Sequence, residues 1–237
     1  MAKSELDTIR RWAGHSESWV TSFLRDVRAC PSIVAVVAIG SAVRNQGHPR
    51  SDLDLVVLYR GQRPALSPPA EVDIRLYAIP SVEEKLATGH EVLGWAIQFG
   101  IPLYDPEGVW ERWSRKYRHR VALPSAAQAA DRAERAFLRA REMLSVGDES
   151  AAEDFLLTAA TQWARQRLIQ HGVFPASRPE LPDQLKAISP NDPLAPILED
   201  ALHGNSPASE LYDRLAAIRS HGGPKLIENL DSLAQER

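Results

Sequence analysis

Residues 39–58 read IGSAVRNQGHPRSDLDLVVL, and this stretch carries the most informative pattern in the chain. Gly40-Ser41 follows a short apolar run, ten residues intervene, and Asp52-Leu53-Asp54-Leu55 then begins a second apolar run. Side chains two apart on a strand project from the same face, so Asp52 and Asp54 are predicted to point one way and the leucines into the core. The stretch therefore predicts two buried strands joined by a loop, with two carboxylates where the second strand begins.

Two carboxylates held this close repel each other unless a cation lies between them. Oxygen ligands favour Mg²⁺, which keeps few carboxylates together with waters and substrate phosphates, and Mn²⁺ fits the same ligands. Gly40-Ser41, just beyond a strand end, allows backbone N–H groups to approach a phosphate closely. The combination is typical of phosphoryl or nucleotidyl transfer. The alternative is a turn that an aspartate caps before a strand.

The same residues resemble the signature of the DNA polymerase beta superfamily of nucleotidyltransferases. Smaller members of that superfamily often run Gly-Ser-x-Ala-Arg-Gly, then Pro-x-Ser-Asp-Leu-Asp-Leu. The chain departs from this pattern at Asn45, where glycine is common, and at Val43, where alanine is usual. It keeps the remaining positions, which are Gly40, Ser41, Arg44, Pro49, Ser51, Asp52, Leu53, Asp54 and Leu55.

The resemblance implies a third carboxylate on a neighbouring strand, and residues 71–77, EVDIRLY, offer Asp73. Glu71 is the substitute, and a surface strand with alternating charges is the alternative interpretation. Asp52, Asp54 and Asp73 would then be the catalytic, metal-binding residues. They would hold two Mg²⁺ ions, one that activates the acceptor hydroxyl and one that neutralises the leaving pyrophosphate.

The resemblance also implies the substrates. Gly40 and Ser41 would position the β- and γ-phosphates of a nucleoside triphosphate. Two roles remain open for Arg44: it could contact a phosphate, or it could pair with a carboxylate and so hold the loop. The donor is expected to be ATP, although another nucleoside triphosphate would fit the same signature. The expected reaction moves AMP onto a hydroxyl of a small molecule such as an aminoglycoside, as in nucleotidyltransferases that give antibiotic resistance.

Two alternatives remain open for the function. The acceptor could be a protein side chain, as in AMPylating antitoxins, or the chain could be a nucleotide-binding module without turnover. The net charge of −3 gives no general attraction to nucleic acid, so nucleic acid is not an expected partner. A homodimer that completes the site across subunits is common in antibiotic nucleotidyltransferases and is an expectation by analogy only.

Composition is that of an ordinary globular protein, with 237 residues of which 44% are hydrophobic. The single cysteine, Cys30, excludes a cysteine-rich zinc site, and the seven histidines are scattered without metal-ligand spacing. No apolar run has membrane-spanning length, and the first residues lack the apolar core of a signal peptide. We therefore expect no membrane partner and a cytoplasmic location.

The chain is predicted to have an α/β (α+β) fold with two domains. Residues 1–123 would form the nucleotidyltransferase domain around a small mixed sheet, and residues 124–237 an α-helical bundle that helps to bind the acceptor. Predicted strands cover 33–39, 53–59, 72–77 and, at an edge, 101–104. Predicted helices cover 3–29, a segment opened by a Ser81–Glu84 capping box, a segment from Asp105-Pro106 to about 118, 125–145, 151–170, a segment from Ser206-Pro207 to 219, and the C-terminus.

Three weaker signals accompany the motif. The basic cluster of residues 111–120, ERWSRKYRHR, is interpreted mainly as a solvated helix end, with a phosphate contact as the alternative. Trp12 and Trp19 are seven residues apart on one predicted helix face and are expected to pack on the sheet. A general base is not assigned, although four acidic residues of the helical region are candidates: Glu134, Glu142, Glu153 and Asp154.

Overall fold

The computed structural model describes residues 16–44, 52–70 and 72–222. These residues divide into two compact units. The first lies within Met1–Ala126 and Leu168–Leu181, and the second within Ala127–Arg167 and Pro182–Arg237. The first unit contains a four-stranded sheet, and the second is helical. The α/β (α+β) fold class is confirmed.

The sheet has the strand order β3-β2-β1-β4. Strand β1 pairs antiparallel with β2 and β4, whereas β2 and β3 are parallel. The four strand predictions are confirmed, including the edge position of the last, and β3 is one residue longer than predicted. The strands are β1 (Ile33–Ile39), β2 (Leu53–Tyr59), β3 (Val72–Ala78) and β4 (Ile101–Tyr104).

Burial along the strands follows their place in the sheet. Every residue of β1 is buried, and β2 is buried except at Asp54 and Tyr59, as expected for central strands covered on both faces. Strand β3 lies at an edge and exposes Asp73 and Arg75. The two exposed charges are two residues apart, so they project from one face.

The connection between β2 and β3 contains no helix among the residues described, 60–70. Parallel neighbours usually need a crossover of a dozen or more residues that includes a helix. Here a mostly exposed segment rich in proline makes the crossing, and Gly61 begins it with a positive φ of 71°. The parallel pairing therefore depends on the strand ladder itself and not on a packed crossover helix.

The first unit contains four helices, which precede, separate or follow the strands along the chain. Trp19 of the first helix stacks on Phe23, with ring centroids 4.7 Å apart, and packs against the core as predicted. Trp12 lies outside the described residues. A Cβ on Gly100, at the end of the third helix, would lie 2.7 Å from Val37 Cγ1. The helices are α1 (Ser16–Ala29), α2 (Ile79–Ala87), α3 (Glu91–Phe99) and α4 (Val109–Tyr117).

Two helix starts differ from the sequence prediction. The predicted capping box at Ser81 is wrong. Helix α2 begins two residues before Ser81, and the Ser81 hydroxyl donates to the Ala78 carbonyl at 2.9 Å. Pro106 does not open α4, which begins at Val109 after Gly108. Asp105 still caps that helix, since its carboxylate accepts the N–H groups of Trp110 and Glu111 at 3.2 and 2.9 Å. The α3 helix was not predicted.

The Asp105 cap gives a direct stability test. Asp105→Ala is expected to lower the free energy of unfolding by about 1 kcal/mol, because two N–H groups of the first turn lose their acceptor. Asp105→Asn keeps an acceptor oxygen and is the matched control, with a loss of less than half that size. Urea titration of both variants measures the difference, and equal losses would contradict the capping role.

The second unit packs its helices around aromatic side chains. The Phe137 ring stacks on Tyr212 at 4.7 Å between centroids and lies 5.5 Å from Trp163. Helix α6 stops as predicted at His171-Gly172, where Gly172 has a φ of 74°. The short helices α7 and α8 were not predicted, and the predicted C-terminal helix lies outside the described residues. The helices are α5 (Ala126–Ser145), α6 (Glu149–Gln170), α7 (Leu181–Ile188), α8 (Leu194–His203) and α9 (Ala208–Gly222).

No helix within the described part of the chain combines the length and apolar character needed to cross a membrane.

Candidate active site

The strand ladder places the predicted carboxylates side by side. Asp54 pairs with Ile39 of β1 on one side and with Asp73 of β3 on the other. Residues paired across a parallel ladder project from the same face, so both carboxylates belong to one face of the sheet. Asp52 precedes Leu53 by one residue and is exposed. The sequence prediction that Asp73 neighbours Asp54 therefore matches the register.

Gly40 lies at the end of β1 directly against Asp54. A Cβ added to Gly40 would be 2.6 Å from Asp54 Oδ2, and the φ of Gly40 is 85°, in the left-handed region. Any side chain at this position would collide with the carboxylate and strain the backbone. Position 40 therefore requires a glycine, because a side chain there would occupy the space of the Asp54 carboxylate.

Asp54 is the electrostatically unusual member of the group. Burial raises its pKa from 3.8 to about 6, with further rises from the nearby Asp73 and Asp52, and Arg75 opposes the change. A carboxylate that has lost much of its water and faces two other acids favours either a proton or a cation. A raised pKa from these causes is typical of functional sites, although structural clusters also produce it.

Arg75 neutralises Asp73 in this structure. Its Nη2 and Nε atoms donate to Asp73 Oδ2 at 2.8 and 3.1 Å. Both side chains are about half exposed, at 46% for Arg75 and 47% for Asp73, so the pair is held weakly. Among the residues that the structure describes, no three His, Cys, Asp or Glu side chains are grouped as a metal site. A metal shared by the three aspartates would have to draw Asp73 away from Arg75.

The donor set nevertheless fits a hard divalent cation. All the candidate ligands are carboxylate oxygens, and Asp54 is a partly buried acid whose pKa is raised by burial and by its acidic neighbours. The close approach of Gly40 keeps space that a side chain would fill. These two observations favour Mg²⁺ or Mn²⁺ at Asp52, Asp54 and Asp73.

The Gly-Ser loop is described only in part. Ser41 begins a short 3-10 helix, Ser41–Arg44, directly after Gly40. The side chain of Arg44 lies outside the described part of the structure, so neither interpretation of this residue is tested. Residues 45–51, with Pro49 and Ser51, and the substitute ligand Glu71 lie outside it as well.

Two further residues extend the site and were missed in the sequence. Tyr77 follows Asp73 and Arg75 at the same two-residue spacing, and burial raises the pKa of its hydroxyl. His90 packs edge-on against the Tyr77 ring, with centroids 5.4 Å apart, and burial lowers its pKa. The alternation in VDIRLY could have indicated Tyr77, but no local signal connects His90 with β3.

Several cations of the basic cluster of residues 111–120 already contact other groups of the protein surface. Arg115 pairs with Glu111 at 2.7 Å, Lys116 pairs with Glu83 at 2.9 Å, and Arg112 donates to the Glu107 carbonyl at 2.6 Å. These contacts favour the solvated helix end for those three cations. In the second unit, Glu134 pairs with Arg219 and Glu142 pairs with Arg139.

A family model matches the part of the chain that contains this face. Residues 20–95 match the nucleotidyltransferase domain family. The matched range contains Gly40, Ser41, Asp52, Asp54 and Asp73. The chain is also similar to a nucleotidyltransferase-like protein from Exiguobacterium sibiricum, with a TM-score of 0.43 and 15% identity over 88% of this chain and 74% of that one. No curated protein matches the sequence.

Proposed function

We propose that the protein is a metal-dependent nucleotidyltransferase that moves AMP from ATP onto a hydroxyl of a small molecule such as an aminoglycoside. The observation that carries the proposal is the in-register pair of Asp54 and Asp73 against Gly40, inside the stretch that matches the nucleotidyltransferase domain. Nucleotidyl transfer in this setting is an in-line displacement at the α-phosphorus of the donor. The acceptor oxygen forms a new bond there while pyrophosphate leaves.

Asp52, Asp54 and Asp73 would hold Mg²⁺ or Mn²⁺. When bound, the metal neutralises the triphosphate and lowers the pKa of the acceptor hydroxyl. Asp54 and Asp73 project from one face of the sheet, and Asp52 is near enough to raise the pKa of Asp54. The partial burial of Asp54 would strengthen its attraction to a cation. Gly40 leaves the space that the Asp54 carboxylate occupies.

Arg75 would have two roles in this scheme. It holds the Asp73 carboxylate while no cation is bound, which limits the repulsion among the three acids. If Asp73 held a cation, the Arg75 guanidinium would be available to bind phosphate oxygens of the donor. Arg75 would therefore bind the triphosphate in addition to holding Asp73.

The first experiment is a transfer assay with α-³²P-labelled ATP, GTP, CTP and UTP. The purified protein and Mg²⁺ are incubated with a panel of aminoglycosides and, separately, with cell lysate. The inactive variant is Asp52→Asn/Asp54→Asn. The matched control is Asp26→Asn, because Asp26 is an exposed residue of α1 whose side chain is 73% accessible.

Each outcome assigns the acceptor or rejects the proposal. Label on an aminoglycoside, lost in the double variant and kept in Asp26→Asn, is the expected result. Label on a protein band would move the acceptor to a protein side chain. Metal-dependent ATP binding with no transfer to any acceptor would favour a nucleotide-binding module, and loss of nucleotide binding altogether would reject the role of Asp52 and Asp54.

Arg75→Gln separates the two roles of Arg75. Because the exposed Arg75–Asp73 pair competes with a cation, the variant is expected to bind Mn²⁺ alone about two- to fivefold more tightly. The same variant is expected to raise the KM for ATP about tenfold, since a charged phosphate contact is lost. Calorimetry and initial rates measure the two effects. Unchanged Mn²⁺ affinity would show that the ion pair does not restrain Asp73, and Arg60→Gln serves as the control for a lost surface arginine.

A further inference from the structure

A groove of about 320 Å³ lies between α5 and α6, entirely within the second unit. One wall carries Arg132, Arg135 and Arg139, whose spacing of three and four residues places them on one helix face. The other wall carries Phe155, Thr158 and Gln162, which follow the same spacing on α6. Three arginines of α5 therefore line one side of the groove, and three residues of α6 that carry a ring, a hydroxyl and an amide line the other.

The arginine wall has charge that a ligand can use. Arg135 pairs with Asp131 and Arg139 pairs with Glu142, and all four of these side chains are more than half exposed, with values from 53% to 65%. Exposed ion pairs within a helix contribute little to stability, so phosphate oxygens can replace either carboxylate at small cost. Guanidinium groups bind phosphate through paired, charged hydrogen bonds.

The opposite wall supplies a different chemistry. Phe155 is half-buried and offers an apolar ring at the groove. The side-chain carbonyl oxygen of Gln162 is buried and has no hydrogen-bond partner among the described residues. Because a covered oxygen has no surface that a ligand can touch, the Phe155 ring is the contact that this wall offers to a ligand.

We propose that this groove binds a nucleotide-sized phosphorylated ligand. Its phosphate lies on Arg132, Arg135 and Arg139, and its flat ring lies against Phe155. The volume is within the range of small-molecule sites, which are mostly apolar with a few placed polar groups. The site is separate from the carboxylates of the sheet and does not depend on the proposed transfer reaction. The three arginines also make the groove unfavourable for a polycation such as an aminoglycoside.

The test uses AMP and inorganic triphosphate as probes, with calorimetry on the full chain. EDTA is present throughout, and the Asp52→Asn/Asp54→Asn background removes the metal-dependent site, so binding there cannot be mistaken for binding in the groove. Both probes are expected to bind saturably at low ionic strength. Arg135→Gln and Arg139→Gln are each expected to lower the affinity for both probes about tenfold, because each removes a charged phosphate contact.

Matched variants distinguish the groove from general surface charge. Arg141→Gln removes an exposed arginine of the same helix that does not line the groove, and it is expected to change neither affinity more than about twofold. Phe155→Leu is expected to weaken the binding of AMP about five- to tenfold while leaving the binding of inorganic triphosphate unchanged. Thermal unfolding of each variant checks that the unit remains folded.

Several results would overturn the assignment. Absence of saturable binding for both probes would reject the site, as would an equal loss in Arg141→Gln. Tight binding of inorganic triphosphate together with an unchanged AMP affinity in Phe155→Leu would reject the ring assignment. Saturable binding of a glutamate-rich peptide in place of both phosphate probes would show that the arginines serve a protein partner.

Discussion

Asp54→Asn is expected to abolish nucleotidyl transfer while making the metal-free protein more stable. Loss of a ligand to the reacting metal should lower kcat/KM by about 10³-fold or more, because the charge that gathers the cation is gone. The fold should benefit, since Asp54 is partly buried among acids and its pKa is raised to about 6. Function and stability are thus opposed at one side chain.

The sign of the pH dependence follows from that raised pKa. Between the ordinary value of 3.8 and about 6, the folded state holds a proton on Asp54 that the unfolded state releases. The contribution of Asp54 to stability is therefore neutral below the lower value and becomes unfavourable as the pH rises through the interval. The shift corresponds to about 3 kcal/mol, which partial exposure reduces to about 1–2 kcal/mol.

Urea titrations of Asp54→Asn and the unaltered protein in EDTA measure this difference. The variant is expected to match the unaltered protein near pH 4 and to exceed it by about 1–2 kcal/mol at pH 7.5. Excess Mg²⁺ should narrow the gap, because the cation stabilises only the protein that binds it. Asp26→Asn should show no such pH dependence, and a variant less stable than the unaltered protein at pH 7.5 would contradict the electrostatic explanation.

Gly40→Ala is expected to damage both stability and transfer. The new Cβ would lie 2.6 Å from Asp54 Oδ2, and alanine would also have to adopt a φ of 85°. We expect a loss of about 2–4 kcal/mol in the free energy of unfolding from the combined strain and collision. Displacement of the Asp54 carboxylate by a fraction of an ångström should lower kcat by about 10²-fold.

Gly61→Ala provides the matched control for Gly40→Ala. Gly61 has a similar φ of 71°, yet a Cβ there would meet nothing within 4 Å. Gly61→Ala should lower the free energy of unfolding by about 1–2 kcal/mol through backbone strain alone, and it should retain activity. Equal losses of activity in the two variants would show that the space beside Asp54 is not what Gly40 provides.

The sheet could be predicted from the sequence because its signals are local. Continuous apolar runs bounded by turn residues indicated β1 and β2. The prediction that Asp52 and Asp54 share a strand face stays a prediction, because β2 begins at Leu53. The resemblance to a known signature then pointed to Asp73, and the ladder brings Asp73 beside Asp54. Those features depend on short stretches of chain and on the period of a strand.

The remaining features depend on contacts between distant segments. Helix α3 was missed because EVLGWAIQF is apolar on nearly every side, with five buried residues, so it shows little amphipathic period. The approach of His90 to Tyr77 arises only when α3 packs on the sheet. The Arg75 pair with Asp73 could be anticipated from their spacing, whereas the raised pKa of Asp54 depends on its burial by other segments of the chain.

The crossover between β2 and β3 has a practical consequence for protein engineering. Because Asp73 is positioned by its ladder with Asp54, the exposed segment of residues 60–70 can change in length without moving either carboxylate. The chain has one native cysteine, Cys30, so a second cysteine placed in this segment offers a distinguishable attachment point for a fluorophore. A reporter there would sit on the chain that joins two ligand-bearing strands and could follow cation binding in real time.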